Sequence, residues 1–486
     1  MKAVLKLFVL LLSLAATSSA HVGSPDVYYE DHAGPYPLSV VVRMPVVIPG
    51  VAVIEVRALS DNLKSIQVVP TRIQGQGSKF APVPDLAERA SDDPRLFRAQ
   101  LWIMMRGAWK VQITAEGDQG KGELSVPLAA TPGANLALQG RLKWLLTGLM
   151  ALLVIGLVGI AGAAVREGMS DPATTPAPSS KRRSARRVML CTALLVIAVL
   201  AAGKFWWNWE AASTAQAAYT VPHVDLSLSA ENTLSLKLQK SDSGRWAERI
   251  QLDDLIPDHG HLMHLFLIRF PSVDRMYHLH PHQDASGQFS QVMPALEPGT
   301  YKVFADVVHA TGFPETQTAE ITLPETHQGT LQDDDSFAAG PSLWSRIPNT
   351  NATNLADGGR IVWVSPSNSI HPGEPLKLHF RVEDDSAKPA TDLEPYMGMA
   401  GHLVLISGDG TVFAHLHPNG SPPMAAVQLA NGPAMNDHAG HNIPSEISFP
   451  YGFPKPGAYR MFVQFKRSGK IETGIFNVSV VQEAYR

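Results

Sequence analysis

Two apolar stretches constrain this chain more than any other feature. In the 24 residues Leu142–Val165 the only charge is Lys143, at the start of the run, and the only charge in the 20 residues Val188–Trp207 is Lys204. At about 1.5 Å of helical rise per residue, each reaches the roughly 30 Å of a bilayer core, so both are expected to be membrane helices. Between them, 166–187 carries Arg166, Lys181, Arg182, Arg183, Arg186 and Arg187 against Glu167 and Asp171. Such a basic loop belongs in the cytoplasm. Trp144 at one end of the hairpin and Trp206, Trp207 and Trp209 at the other then anchor the opposite interface, which places 21–141 and 210–486 outside. Met1–Ala20, with Lys2 and Lys6 ahead of the apolar run Leu7–Ala16, reads as a cleaved signal peptide; left attached, it would add a third span. The expected location is a bacterial inner membrane, with both flanks in the periplasm.

Charge and cysteine content narrow the chemistry. A net charge of −4 lacks the basic excess of a nucleic-acid binder. The single Cys191, inside a predicted span, excludes an intrachain disulfide, iron–sulfur and Cys-rich zinc sites, c-type haem attachment and a blue-copper centre. Any metal must be held by His, Met or carboxylates.

Within 21–141 the hydrophobic period is near two, as in Leu38–Arg43, Val51–Arg57 and Trp109–Thr114, with Pro and Gly between the runs, which predicts a small β-sandwich. Its segments Ala33-Gly-Pro-Tyr-Pro and Val46-Val-Ile-Pro-Gly-Val-Ala, followed by the two spans, resemble the bacterial YtkA-like or FixH-type membrane proteins over about the first 210 residues. That resemblance implies an extracytoplasmic β-domain and supplies no catalytic residue.

The rest of the chain contains an internal repeat. Asp254-Leu-Ile-Pro-Asp-His-Gly-His-Leu-Met-His-Leu-Phe-Leu-Ile268 matches Asp392-Leu-Glu-Pro-Tyr-Met-Gly-Met-Ala-Gly-His-Leu-Val-Leu-Ile406 without a gap. Tyr277-His-Leu-His-Pro281 then matches Ala414-His-Leu-His-Pro418, and Pro298–Tyr301 matches Pro456–Tyr459. Two immunoglobulin-like or cupredoxin-like sandwiches are expected at 219–325 and 346–486, joined by a polar linker at 326–345. The fold class is therefore mainly β, with two transmembrane helices and three small sandwiches outside the membrane.

Each copy carries a histidine trio, His264, His278 and His280 in the first and His402, His415 and His417 in the second. In the second copy the tight turn signal Ser407–Thr411 puts His402 opposite His415 or His417, and side chains two apart in a strand share a face, so the trio converges. Ahead of each trio, His259-Gly-His261 aligns with Met397-Gly-Met399. Imidazole and thioether share copper as a ligand, with thioether the softer, so the exchange points to copper, with zinc as the alternative. The insertion 419–446 adds Met424, Met435, His438 and His441 as a candidate metal-collecting loop.

Cleavage after Ala20 would expose His21 as an amino-terminal chelate for Cu(II), with His32 as a candidate third ligand. An amino-terminal His on a β-sandwich is similar to CopC-like periplasmic copper carriers. The expectation is a non-enzymatic protein of copper tolerance, transfer or cuproenzyme assembly, working with another copper carrier or a cuproenzyme. A copper monooxygenase-like enzyme, a non-metal scaffold, and histidines that merely satisfy buried backbone groups are the alternatives.

Overall fold

The computed structural model describes residues 24–75, 78–131, 140–168, 179–216, 219–240, 252–326, 329–345, 351–364, 369–432 and 443–482. The expected signal cut, His21, Met435, His438 and His441 lie outside the described residues, as does the middle of the basic loop.

Residues 134–218 form one unit, built on the helices Gly140–Glu167 and Ser179–Gln216. Both are long and apolar enough to cross a membrane, with mean hydropathies of 2.5 and 2.3 over their most apolar windows. Their leucines, isoleucines and tryptophans are largely exposed, as suits a surface meant for lipid. They touch where Gly162 leaves room for Met189; a Cβ at 162 would come within 2.5 Å of its side chain.

The second unit, 1–133 with 219–486, holds six β-sheets among the described residues, paired as three sandwiches. In the amino-terminal sandwich, alternation drives burial. Along Gly50–Ala58, Ala52, Ile54, Val56 and Ala58 turn inward to meet Leu38, Ile66, Phe97 and Val111. The two repeats build matching sheets around the central strands His264–Phe270 and His402–Ser407. Each lies between its hairpin partner, Arg275–Leu279 or Phe413–Leu416, and a long strand, Gly299–His309 or Gly457–Arg467.

The period of two gives each central strand two jobs. Leu265 and Leu267 face the core of the first repeat, and Leu403 and Leu405 that of the second. The opposite faces, Phe266 and Ile268 with Val404 and Ile406, pack against each other across the repeats. Phe304 and Phe462, Met276 and Phe413 join this cluster as further pairs at equivalent repeat positions, and Val273, Ala338 and Leu343 add to it from the first repeat's side. The ring of Phe304 stacks on that of Phe413 at 4.2 Å. An interface made of one patch used twice is the arrangement of a two-fold dimer, here within one chain.

The expected linker at 326–345 differs. Ser336–Ala339 is a strand that pairs with Arg275–Leu279 and extends the first repeat's sheet, bringing Asp334 and Asp335 with it. Part of the insertion also has regular structure, because Met424–Asn431 is a helix whose Met424 and Val427 are buried with the amino-terminal core. The amino-terminal sandwich grips the second repeat through backbone: Glu30 N–H donates to Asn419 O at 2.8 Å and Ser421 N–H to Tyr28 O at 2.9 Å. Gly420 is needed there, since a Cβ would lie 1.9 Å from Tyr28 O.

Candidate metal centre

Both histidine trios sit on the face through which the repeats pack, at one end of the apolar cluster. The register Leu265↔Leu279 sets His264 opposite His280, and Leu403↔Leu416 sets His402 opposite His417. Of the two facings left open by the turn signal, the second holds. The extra residue of the first hairpin is taken up at the turn, where Val273 adopts φ 49°.

Ahead of each trio lies the same tight turn. Asp258 and His261 exchange two backbone hydrogen bonds, as do Tyr396 and Met399. The two central residues have positive φ in both copies, 53° and 87° at His259 and Gly260, 50° and 79° at Met397 and Gly398. This is the signature of a type I′ turn, tolerable for Gly and costly for His or Met. The strain projects His259 across the repeat boundary, where its ring centroid lies 5.0 Å from those of both His402 and His417.

Two three-imidazole sets result. His264, His278 and His280 form one, and His259, His402 and His417 the other, with one nitrogen from each residue inside 4.8 Å of its set. His415 lies between them, 5.1 Å from His264 and 4.8 Å from His417 by ring centroid. His261 stacks on His280 at 4.0 Å. The thioethers are placed otherwise: Met399 is buried in the amino-terminal core cluster, and Met397 is half-buried in the turn. His32 is exposed on the strand Val27–Ala33, 3.8 Å from Asp31.

The hydrogen bonds fix which nitrogen of each ring is bare. In the first set His264 Nε2 faces Asp258 O at 3.2 Å, His278 Nδ1 faces Gln464 Oε1 at 3.1 Å and His280 Nδ1 faces Asp335 Oδ1 at 3.1 Å. All three partners accept, so these nitrogens carry the protons and His264 Nδ1, His278 Nε2 and His280 Nε2 offer lone pairs. His264 Nδ1 and His278 Nε2 stand 3.0 Å apart, so with these tautomers two lone pairs converge. In the second set His417 Nδ1 faces Pro422 O at 3.1 Å, and His417 Nε2, His259 Nε2 and both nitrogens of His402 are buried without a partner among the described residues. His280 Nε2 and His415 Nε2 are likewise buried and unpartnered. A carboxylate or carbonyl holding the outer N–H while the inner nitrogen stays free is the usual support of a metal-binding imidazole.

Electrostatics favour the neutral rings that bind metal. Burial, then the neighbouring imidazoles, holds His264 and His402 well below the ordinary histidine range. His278 and His417 are depressed likewise, again chiefly by burial. His259 and His280 are lowered by burial against opposing pulls from Asp258 and Asp335. The repeats are cross-wired as well, since Gln464 of the second holds His278 of the first, and Asp306, at the equivalent position of the first, lies 3.6 Å from His415 of the second. Gln464 is oriented in turn by donating to Ser336 Oγ. Sequence reasoning missed Asp334, Asp335, Asp306 and Gln464. The run Asp333-Asp-Asp335 beside a histidine repeat was the available signal for the first two.

A family model described as a domain of unknown function (DUF8832) matches residues 214–325 and 354–482, the stretches that hold the two copies. No curated protein matches the chain. Similar solved structures include the PKD domain of human VPS10 domain-containing receptor SorCS2, 14% identical over 34% of this chain and 99% of that one, with a TM-score of 0.14. Escherichia coli alpha-2-macroglobulin activated by porcine elastase is 9% identical over 95% of this chain and 31% of that one, with a TM-score of 0.18. A putative membrane anchored protein from Corynebacterium diphtheriae is 10% identical, with 94% of each chain covered and a TM-score of 0.14.

Proposed function

We propose that this chain is a membrane-anchored, extracytoplasmic copper-binding protein whose metal centre is shared by its two repeats. The observation that carries this reading is the set of bare, buried imidazole nitrogens that converge from both copies, with the outer nitrogens of His264, His278, His280 and His417 held by acceptors. A buried structural histidine is ordinarily hydrogen-bonded, and among the described residues His402 has a partner at neither nitrogen. Each three-imidazole set would hold one ion, with His415 within reach of both and His280 and His261 backed by Asp335 and Asp334. Nitrogen-only donor sets suit Cu(II) by its place at the top of the divalent affinity series, and zinc is the competing occupant. The thioether argument for Cu(I) weakens, because Met399 packs in an apolar core. Tolerance, storage or transfer of copper in the periplasm fits a bilayer-tethered chain with that centre.

A second reading has its own support. Three protein ligands leave an ion an open coordination position, as catalytic sites require, and a cavity reaches His264 and His415. Dioxygen uptake by the reduced, copper-loaded protein would favour a copper monooxygenase-like enzyme. Loading the full-length protein in detergent with copper, zinc or neither, followed by elemental analysis after gel filtration, tests the main reading. Retention of about two copper ions per chain in preference to zinc is expected, and retention of no metal would refute it.

A further inference from the structure

The histidines are buried, so an ion must reach them by some path. At the junction of the three sandwiches lies a cavity of about 220 Å³, bounded by the amino-terminal strands, the 307–316 turn of the first repeat and the 413–426 segment of the second. His261, His264, His415 and His417 are among its lining residues. Its walls carry four carboxylates, Asp26, Asp258, Asp306 and Glu315, and no lysine or arginine. Two of these have an unpartnered, buried oxygen, Glu315 Oε1 and Asp306 Oδ1, and Glu315 is 2% exposed. The ring nitrogens His415 Nε2 and His417 Nε2 are also unpartnered among the described residues, and Asp306 lies 3.6 Å from the ring of His415.

We infer that this cavity is the port through which a small hydrated metal cation enters the histidine centre, with Glu315 and Asp306 as its oxygen way-stations. The inference rests on the metal-binding reading above. Water occupies about 30 Å³ per molecule in the liquid, so the cavity has room for an ion with several of its waters. Carboxylates repel anions and attract cations without binding copper as firmly as imidazole, which makes them suited to passage. Glu315 is set in place by Gln317, whose Nε2 donates to its Oε2 at 3.0 Å, and by His309, 3.7 Å away and itself held by Asp254 at 2.7 Å.

The test is stopped-flow uptake of Cu(II) by the full-length protein in detergent, read by visible absorption, with final stoichiometry read by elemental analysis. Ala129→Trp fills the cavity from the amino-terminal wall, away from the histidines, and should slow uptake at least about tenfold while the final copper content stays at the wild-type value. Glu315→Gln keeps the shape, removes the charge and should slow uptake severalfold, with a weaker dependence on ionic strength. Wild-type rates in both variants at full stoichiometry would overturn the port. Absence of copper binding by the wild-type protein would instead overturn the reading on which the port depends.

Discussion

The ring of His259, in the first repeat, meets the ring of His402, in the second, edge to face with centroids 5.0 Å apart. Nothing in the first repeat's own trio is that near to His259; His264 is 6.1 Å away. The set His259, His402 and His417 therefore belongs to the pair of repeats, whereas His264, His278 and His280 all lie in the first.

Replacing His402 separates a ligand from a structural residue. It is fully buried with no partner at either nitrogen, and a buried polar group left unmatched costs about 1–3 kcal/mol. His402→Leu should leave the metal-free protein as stable as wild type or up to about 2 kcal/mol more stable, while one copper is lost. Chemical denaturation of both metal-free proteins checks this. A loss of more than about 2 kcal/mol would mark the residue as structural.

Acid should unfold the metal-free protein early. His259, His264, His278, His280, His402 and His417 all have folded pKa values below the unfolded value of about 6.5, so the unfolded chain binds more protons as pH falls past 6.5. Their contribution is complete above that pH and is lost progressively below it. His309, raised by Glu315 and Asp254 against burial, works the other way and loses its contribution as pH rises through its folded pKa. Six groups against one predict a melting temperature that drops from pH 7 to pH 5, and a drop at least as large when copper is bound, because the bound ion keeps the folded rings free of protons.

Gly420→Ala should unseat the amino-terminal sandwich. Its Cβ would meet Tyr28 O at 1.9 Å, at a φ of 136°, three residues after His417. A destabilisation above about 2 kcal/mol is expected, together with faster proteolytic release of the amino-terminal domain and weaker copper binding. Unchanged proteolysis would mean the backbone clasp is dispensable.

Topology follows from the basic cluster between the helices. A reporter active only outside the cytoplasm should give signal when fused after Arg486 and none when fused near Ser179. The opposite pattern would move the histidine centre into the cytoplasm.

Local pattern made much of this legible in the sequence. The period of two gave the strands, the long apolar runs gave the two long helices, and the spacing His278-Leu-His280 against His264 gave a shared face. What stayed hidden depends on contacts between distant segments. That Phe266 and Val404 face one another, so that the trios meet, follows from which sandwich face is left apolar after the core is filled. Asp335 reaches His280 only because the strand Ser336–Ala339 joins the sheet, and its acidic surroundings read as a solvated linker. Met399 aligns with His261 in sequence yet packs in the amino-terminal core, a neighbour that the repeat alignment does not contain.

The shared centre is tested most directly by copper content in His259→Ala. His259 lies in the first repeat, but its ring completes the set with His402 and His417. The full-length variant should keep its fold and retain about one copper where wild type retains about two, and the copper lost should be the one also lost in His402→Leu, so that the double variant loses no more than either single one. Full copper content in His259→Ala, or additive losses in the double variant, would contradict a centre built across the two repeats.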